Sequence, residues 1–496
     1  MSGQSHMSID EIPIAGLRRD CAMVVRGMLL LAIIPAMIFI LFAMHELRSA
    51  SSFDIAGFFS WKIWVPLALT TLVMFALRPL IKRLDGTALM ATLCGYAVLA
   101  AALSVAALWV LSRLEAPIPW GEIAAGLTTK PVVFVPVLLV LALASWLIWY
   151  SVLGPLRATL KLLRAKLPDG RRVIDVMNGV AAAATTFTVP RPSPAARAAR
   201  FACFILAAVL GIVMAVSVVW LLAQERFVQA LALEFPLLAA IIGLVRLGGR
   251  VAAVDAKTLL AADDRPPVLF LRSFQDDVGK LEDEWGAVLE VPDAVANSPA
   301  GQAASAALNT APARRLGSIG VPRLEEAIAA EVGRLGPFVA IGAPDELLPR
   351  LGAARAYHEN DTWQNAIQRW IDMAQLIVKV AGPTKWIQWE LGHIINQGAL
   401  MRLIIIFPKK GTAEDRAYRW RNMSVCFDGT HWQEPLSVID PQNVMALRFK
   451  PHGGIQVITR AAHRGLDVAL AMRILLDGVV RDGLLMPKTG PATQAG

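Results

Sequence analysis

Hydrophobic residues dominate the first half of the chain, up to about residue 250. Six apolar segments in this half come close to the roughly 20 residues that a helix needs to cross a bilayer. They are residues 27–44, 63–77, 88–111, 131–153, 201–223 and 228–245. The pattern predicts an N-terminal α-helical transmembrane bundle of about six spans.

The sixth segment is the least apolar, because it contains Glu234 and Pro236. A carboxylate inside a span is a candidate functional group, since its charge is costly to place in lipid. Glu234 lies only about one and a half helical turns into the segment, so it can also reach the membrane interface. Its role beyond this stays open at the level of sequence.

After Asp264, short apolar runs alternate with amphipathic segments. Strands are predicted at residues 266–274, 338–344, 376–380 and 403–408, with helices between them. This alternation favours an α/β domain with a parallel sheet that is covered on both faces. A ligand would bind at the carboxyl ends of its strands.

These patterns predict four regions. Residues 1–26 form a cytoplasmic N-terminal segment, and residues 27–247 form the transmembrane region with a basic cytoplasmic loop at 154–200. Residues 266–410 form the α/β domain, in which 287–320 are an insertion or a disordered loop. Residues 411–485 form a C-terminal extension with a hairpin at 444–460 and a closing helix at 466–480.

The charged residues add an orientation to this picture. Basic residues cluster before the first span, after the second, between the fourth and fifth, and after the sixth, whereas the alternate loops hold few. Because basic residues are enriched in cytoplasmic loops, we expect a multi-pass protein of the plasma (inner) membrane with both termini in the cytoplasm. Arginines that face the lipid bilayer's anionic headgroups explain the net charge of +9. No nucleic-acid partner is expected.

The stretch KWIQWELGHI, at residues 385–394, places a glutamate among tryptophans and aliphatic residues. On a helix, one stripe packs on the sheet: Ile387, Leu391 and Ile394. Trp386, Glu390 and His393 form the neighbouring stripe. Most helix carboxylates are solvated, and in that interpretation Glu390 is half exposed and pairs with Lys385 or His393.

The order of motifs in residues 266–410 resembles that of a Toll/interleukin receptor (TIR) domain. VLFLRSFQDD is similar to the family's opening box, with Ser273 and Phe274 in the place of its Ser-aromatic pair. LEEAIAAEVGRLG with FVAIG, and NAIQRWIDMAQLIVKV, match later helices and strands in the family's order. In WIQWEL, Trp386, Glu390 and Leu391 reproduce the family's tryptophan, glutamate and leucine.

The resemblance implies a flavodoxin-like fold, self-association, and a role in signalling or defence. In catalytic members of the family the glutamate helps to cleave the nicotinamide–ribose bond of NAD, which implies a catalytic Glu390 with NAD as substrate. A fixed anion can stabilise the positive charge that develops on the ribose carbon. The nucleotide would contact Ser273 and Phe274, and one of its rings would stack on Trp386 or Trp389. Arg272, beside the end of the first strand, would meet a phosphate. No metal or further cofactor is implied, and the family's serine after the third strand is replaced by Ala381-Gly382-Pro383.

Three classes of function remain open at this stage. The first is a membrane-anchored NAD nucleosidase that uses Glu390. The second is a non-catalytic membrane adaptor or sensor that acts by TIR-like self-association. The third is a transporter regulated by the soluble domain, which would require paired polar residues inside the spans, where the sequence offers Glu234.

Overall fold

The computed structural model describes residues 8–28, 89–92, 94–95, 153–183, 192–223, 227–272, 323–342, 351–358, 363–384, 386–408, 412–451, 453–459 and 465–485. The chain divides into two compact units. One unit comprises residues 1–18, 167–171 and 175–496, and the other comprises residues 19–166 and 172–174. Most of the first four predicted spans, and all of residues 287–320, lie outside the described residues.

The described strands all belong to one sheet. They are β1 (Ile9–Pro13), β2 (Val268–Leu271), β3 (Phe338–Ile341), β4 (Ala354–Ala356), β5 (Leu376–Val380), β6 (Leu403–Ile406), β7 (Val444–Phe449) and β8 (Ile455–Thr459). The described helices are α1 (Gly154–Arg164), α2 (Val173–Ala183), α3 (Pro194–Ala223), α4 (Phe227–Val251), α5 (Ala256–Ala262), α6 (Leu324–Val332), α7 (Trp363–Met373), α8 (Trp386–Asn396), α9 (Ala413–Ser424), α10 (Gln433–Ser437) and α11 (Gly465–Arg481). Two short 3-10 turns span Ala399–Arg402 and Val425–Phe427.

The sheet is mixed but mostly parallel, with the strand order β1-β8-β7-β6-β5-β2-β3-β4. β7 runs antiparallel to both β6 and β8, and the other described pairs are parallel. The chain first builds outward from β2 to β3 and β4, and then returns to the other side of β2 with β5. The order of the strands therefore reverses between β2 and β5, and such a switch point opens a crevice at the carboxyl ends of the two strands.

Helices cover both faces of this sheet. α7, α8 and α9 share one apolar core with alternate strand residues such as Leu269, Ile377 and Ile405. The intervening strand residues point to the opposite face, where α6 packs against α11. Because all residues of β2, β3, β5 and β6 are buried, these strands read as continuous apolar runs, as expected for a parallel sheet with two covered faces.

The prediction of an α/β domain with a largely parallel sheet is confirmed. The predicted hairpin is present as β7 and β8, and the predicted closing helix is present as α11. Residues 411–485 are not an appendage, however. Their two strands extend the central sheet beyond β6, and α9 contributes Trp420 and Met423 to the common core.

Sequence patterns did not predict that the N-terminal segment belongs to the sheet. β1 pairs in parallel with β8 over five residues. Backbone bonds from Ile455 to Ser8 and from Ile14 to Thr459 extend this pairing, and Lys450 forms an ion pair with Asp10. The α/β domain is thus assembled from segments that are more than 250 residues apart in the chain.

α3 and α4 form a helical hairpin. Gly248 of α4 lies against α3 so closely that a Cβ there would be 3.1 Å from the Cys203 Cβ and 3.4 Å from the Arg200 carbonyl oxygen. The end of α4 therefore lies beside the start of α3, and the helices are antiparallel. Small residues at such crossings are typical of helix pairs in membranes.

Within the described residues, Pro194–Met214 is long and apolar enough to cross a membrane. A second candidate is the pair Pro236–Val251 and Ala256–Ala262, which is bent by 68° and counts as one span only if the bend is allowed. These helices correspond to the fifth and sixth predicted spans. The bundle of about six spans remains a prediction.

We expect deletion of residues 8–14 to destabilise the α/β domain, because it would expose β8, all of whose residues are buried, as an unprotected apolar edge. The measurement is the thermal unfolding midpoint of the purified full chain, with light scattering to follow aggregation. Deletion of residues 486–496 serves as the matched control. An unchanged midpoint after loss of β1 would contradict the role assigned to it.

Candidate functional site

The switch point between β2 and β5 is where a ligand would bind in this type of sheet. At this edge the structure describes Arg272, directly after β2, and residues 381–384, directly after β5. Ser273 and Phe274, which were predicted to contact a nucleotide, lie outside the described residues. The candidate site is therefore built from the β5–α8 connection and its neighbours.

Glu390 lies on α8, about one helical turn from its start, and faces the sheet. Its side chain is only 8% exposed and forms an ion pair with Lys379 Nζ, which is 3% exposed. Lys379 is the fourth residue of β5 and points to the face that α8 covers, as do Ile377 and Ala381. Two opposite charges thus meet in the apolar layer between strand and helix.

This geometry corrects the expected surroundings of Glu390. Ile387, Leu391 and Ile394 are buried as predicted, but Glu390 is buried with them. The prediction of a half-exposed Glu390 was wrong, because Lys379 lies directly beneath α8 and forms an ion pair with the buried carboxylate. Lys385, one of the two partners expected for it, lies outside the described residues. A lone buried lysine would carry a large desolvation cost, so Lys379 needs this partner.

Trp386, predicted as a nucleotide-stacking residue, is 44% exposed at the start of α8. Its ring meets that of Trp363 edge to face, with the centroids 5.2 Å apart, and Trp389 approaches the same ring at 5.7 Å. His393 stacks on Trp389. The three tryptophans thus join α7 to α8. Trp386 lies one helical turn before Glu390, but on the solvent-exposed side of α8 and not on the side that faces the sheet.

The connection after β5 is held in place by α9. Arg419 donates a hydrogen bond of 2.9 Å to the Ala381 carbonyl oxygen, and Asn422 donates one of 3.1 Å to the Pro383 carbonyl oxygen. The α9 helix itself starts with a capping box between Thr412 and Asp415. The backbone of residues 381–383 is therefore held by side chains of α9.

A second buried charge cluster lies beside the switch point. Glu325, in the first turn of α6, binds Arg355 of β4 at 2.7 Å and accepts a hydrogen bond from the Ala353 backbone N–H at 2.9 Å. Arg272 lies 3.8 Å from the same carboxylate. Gly352, with a φ of +128°, leaves room for it, since a Cβ there would be 2.7 Å from Glu325 Cγ. Arg272, predicted to meet a phosphate, is thus brought to a carboxylate.

Cys426 lies close enough to Lys379 for the lysine's charge to influence its thiol. Burial raises the pKa of Cys426 to about 11, because a thiolate would be poorly solvated there. Its sulfur approaches the Asn422 carbonyl oxygen at 3.7 Å. The thiol is therefore neutral and a weak nucleophile at physiological pH.

Several residues of this site were missed by sequence reasoning. Lys379 interrupts the apolar run LIVKV, and Arg355 is the centre of the short strand ARA. A charge inside an otherwise apolar strand signals a buried partner elsewhere, but the sequence gives no means to name that partner. No group of His, Cys, Asp and Glu residues that could hold a metal ion occurs in the described part of the chain.

Comparison with known proteins adds no relative: the chain matches no protein-family model, no curated protein and no solved structure. The TIR resemblance therefore remains a prediction based on the order of motifs.

We expect Lys379→Met to lower the free energy of unfolding by about 3–5 kcal/mol, because it leaves Glu390 buried without a counter-charge. The double variant Lys379→Met/Glu390→Leu should recover most of this loss, since both charges are replaced by apolar groups. Tryptophan fluorescence during denaturation of the full chain measures both effects. Arg481→Gln, at a pair with an arginine that is 49% exposed, is the control and should cost less than about 1 kcal/mol. A double variant as unstable as the single one would contradict the pairing.

We also expect Cys426 to react slowly with iodoacetamide at neutral pH and faster as the pH approaches about 11, because only the thiolate is nucleophilic. Mass spectrometry of the Cys426 peptide over a pH series measures the rate. Free cysteine under the same conditions provides the reference curve. A midpoint near that of free cysteine would show that the thiol is not shielded by burial.

Proposed function

We propose that this protein is a multi-pass membrane protein whose cytoplasmic α/β domain acts as a non-catalytic, TIR-like signalling module. The position of the apolar region within the chain supports the proposal of a multi-pass membrane protein. β1 and β2 belong to the same sheet, yet the apolar half of the chain lies between them. A sheet occupies one side of a membrane, so the number of intervening spans must be even, which agrees with six spans and with both termini in the cytoplasm.

The strand order supports the TIR-like part of the proposal. β3, β2, β5 and β6 are adjacent and parallel. Numbered along the chain, the five strands β2 to β6 have the order 3-2-1-4-5. When the three-residue edge strand β4 is set aside, the order of the remaining four is 2-1-3-4, as in flavodoxin-like folds. The motifs that resemble the TIR family lie on these strands and on α6, α7 and α8.

The buried Lys379–Glu390 pair carries the non-catalytic part of the proposal. A carboxylate that stabilises a positively charged ribose carbon must direct its negative charge at the substrate. The Glu390 charge is compensated by Lys379, and its side chain faces the sheet. Freeing it would leave a buried lysine unpaired, at a cost of several kcal/mol.

NAD cleavage is the second candidate function, and the position of α8 favours it. This helix directly follows β5, one of the two strands that flank the switch point, so Glu390 is close to the edge where nucleotides bind in related sheets. In this interpretation a conformational change, such as assembly with further copies, turns Glu390 away from Lys379. Trp386 would then be available for a ring of the nucleotide.

The two candidate functions predict different effects of Lys379→Met/Glu390→Leu on the release of nicotinamide from NAD. With the full chain in liposomes, we expect no nicotinamide release from NAD above the blank, for the wild type or the variant. Chemical cross-linking should capture oligomers of both to the same extent. Forced clustering with a bivalent antibody to a terminal tag tests whether assembly activates the wild type.

Glu434→Gln, at an exposed glutamate on α10, is the matched control for the loss of a carboxylate. Nicotinamide release by the clustered wild type and by Glu434→Gln, but not by the double variant, would reject the non-catalytic proposal in favour of catalysis by Glu390. Absence of oligomers for every variant would reject the signalling module itself.

A further inference from the structure

The α3–α4 hairpin has a long apolar part, which we call the shaft. Basic residues lie at the end of the shaft where α3 begins and α4 ends. From Phe201 to Ala223, α3 carries no charged residue. Among the side chains described between residues 201 and 217, several large apolar ones are exposed, including Phe201, Ile205 and Ile212. At about 1.5 Å per residue this shaft is roughly 34 Å long, slightly more than the hydrocarbon core of a bilayer. Its length and surface suit a membrane interior.

Four arginines lie at the base of this shaft: Arg197 and Arg200 on α3, and Arg246 and Arg250 on α4. We call this group the arginine collar. Because Gly248 lies beside Arg200 and Cys203, the two helices bring their arginines to a common level. With a rise of about 1.5 Å per residue, all four lie within roughly 10 Å along the hairpin axis.

The collar surrounds the hairpin instead of forming one pocket. Gly248 faces α3, and Arg246 and Arg250 are each two residues away, which places them on the opposite side of α4 at about 100° per residue. Arg197 and Arg200 are exposed on α3. The Arg200 guanidinium lies 5.3 Å from the centre of the Phe204 ring, so it is directed along the shaft.

Arg246 of the collar forms an ion pair with a glutamate. Arg246 binds Glu326 at 3.1 Å, with side-chain exposures of 29% and 20%. Glu326 lies in the first turn of α6, next to the Glu325 that binds Arg355. The base of the hairpin is therefore linked electrostatically to the helix that borders the candidate site.

We propose that the arginine collar binds the headgroups of acidic phospholipids, and that Glu326 competes with these headgroups for Arg246. This inference rests on the proposed insertion of the hairpin into the membrane. A ring of cations at one level matches a plane of phosphates, and each arginine near an anionic surface strengthens binding about fivefold. Arginine is well suited to this role because its planar donors bind phosphate oxygens in pairs.

The competition for Arg246 can be tested, because substitutions of Arg246 and of Glu326 must change the retention of acidic lipid in opposite directions. The full chain is purified in mixed micelles of detergent, phosphatidylcholine and phosphatidylglycerol, and mass spectrometry gives the ratio of the two lipids retained. We expect the wild type to retain phosphatidylglycerol preferentially. Arg197→Gln and Arg200→Gln should each lower its relative retention by roughly fivefold. Arg246→Gln should lower it by less, because Glu326 already competes for Arg246 in the wild type, and added salt should weaken retention.

Glu326→Gln should raise the retention of phosphatidylglycerol, because it releases Arg246. Arg369→Gln, at an exposed arginine on α7, should leave it unchanged, and circular dichroism confirms that each variant is folded. Equal retention of both lipids by the wild type, or lower retention by Glu326→Gln as well as by Arg246→Gln, would overturn the collar. A chain that remains in solution without detergent and retains neither lipid would instead reject the membrane proposal.

Discussion

The structure depends on the burial of a mostly parallel sheet on both of its faces. A charged side chain on a strand of such a sheet is buried whichever face it points to. It therefore needs a partner of opposite charge. Lys379 meets Glu390 on one side of the sheet, and Arg355 meets Glu325 near one edge. Between α6 and α11, Glu331 binds Arg473 through two hydrogen bonds of 2.9 Å. These pairs fix the positions of the helices as well as the charges.

The same constraint decides how Glu390 is interpreted. From its spacing on the helix it could be solvated or catalytic, and both interpretations assume an available carboxylate. Because β5 carries Lys379 beneath α8, the carboxylate lies in the packing layer between strand and helix, which supports the proposed non-catalytic role. A residue that matches a catalytic motif in type and position can therefore serve the stability of the fold.

Arginines from distant parts of the chain bind acidic residues on the helices of the sheet's other face. Arg18 lies 3.4 Å from Asp467, Arg171 pairs with Asp477, and Arg246 pairs with Glu326. Each of these arginines lies near a predicted span or in the basic loop, where an orientation signal is expected. These arginines attach their segments to α6 and α11.

The sequence by itself determined the elements whose signals are local. The apolar strands β2, β3, β5 and β6, the hairpin of β7 and β8, and the amphipathic stripes of α6 and α8 follow from periodicity over a few residues. It also determined Ile387, Leu391 and Ile394 as the buried stripe of α8. Only the tertiary structure decided that β1 joins β8, that Lys379 compensates Glu390, and that Glu325 binds Arg355. These contacts join residues 11 to more than 400 positions apart, and neither hydrophobic spacing nor charge identifies which of many oppositely charged or apolar partners the folded chain brings together.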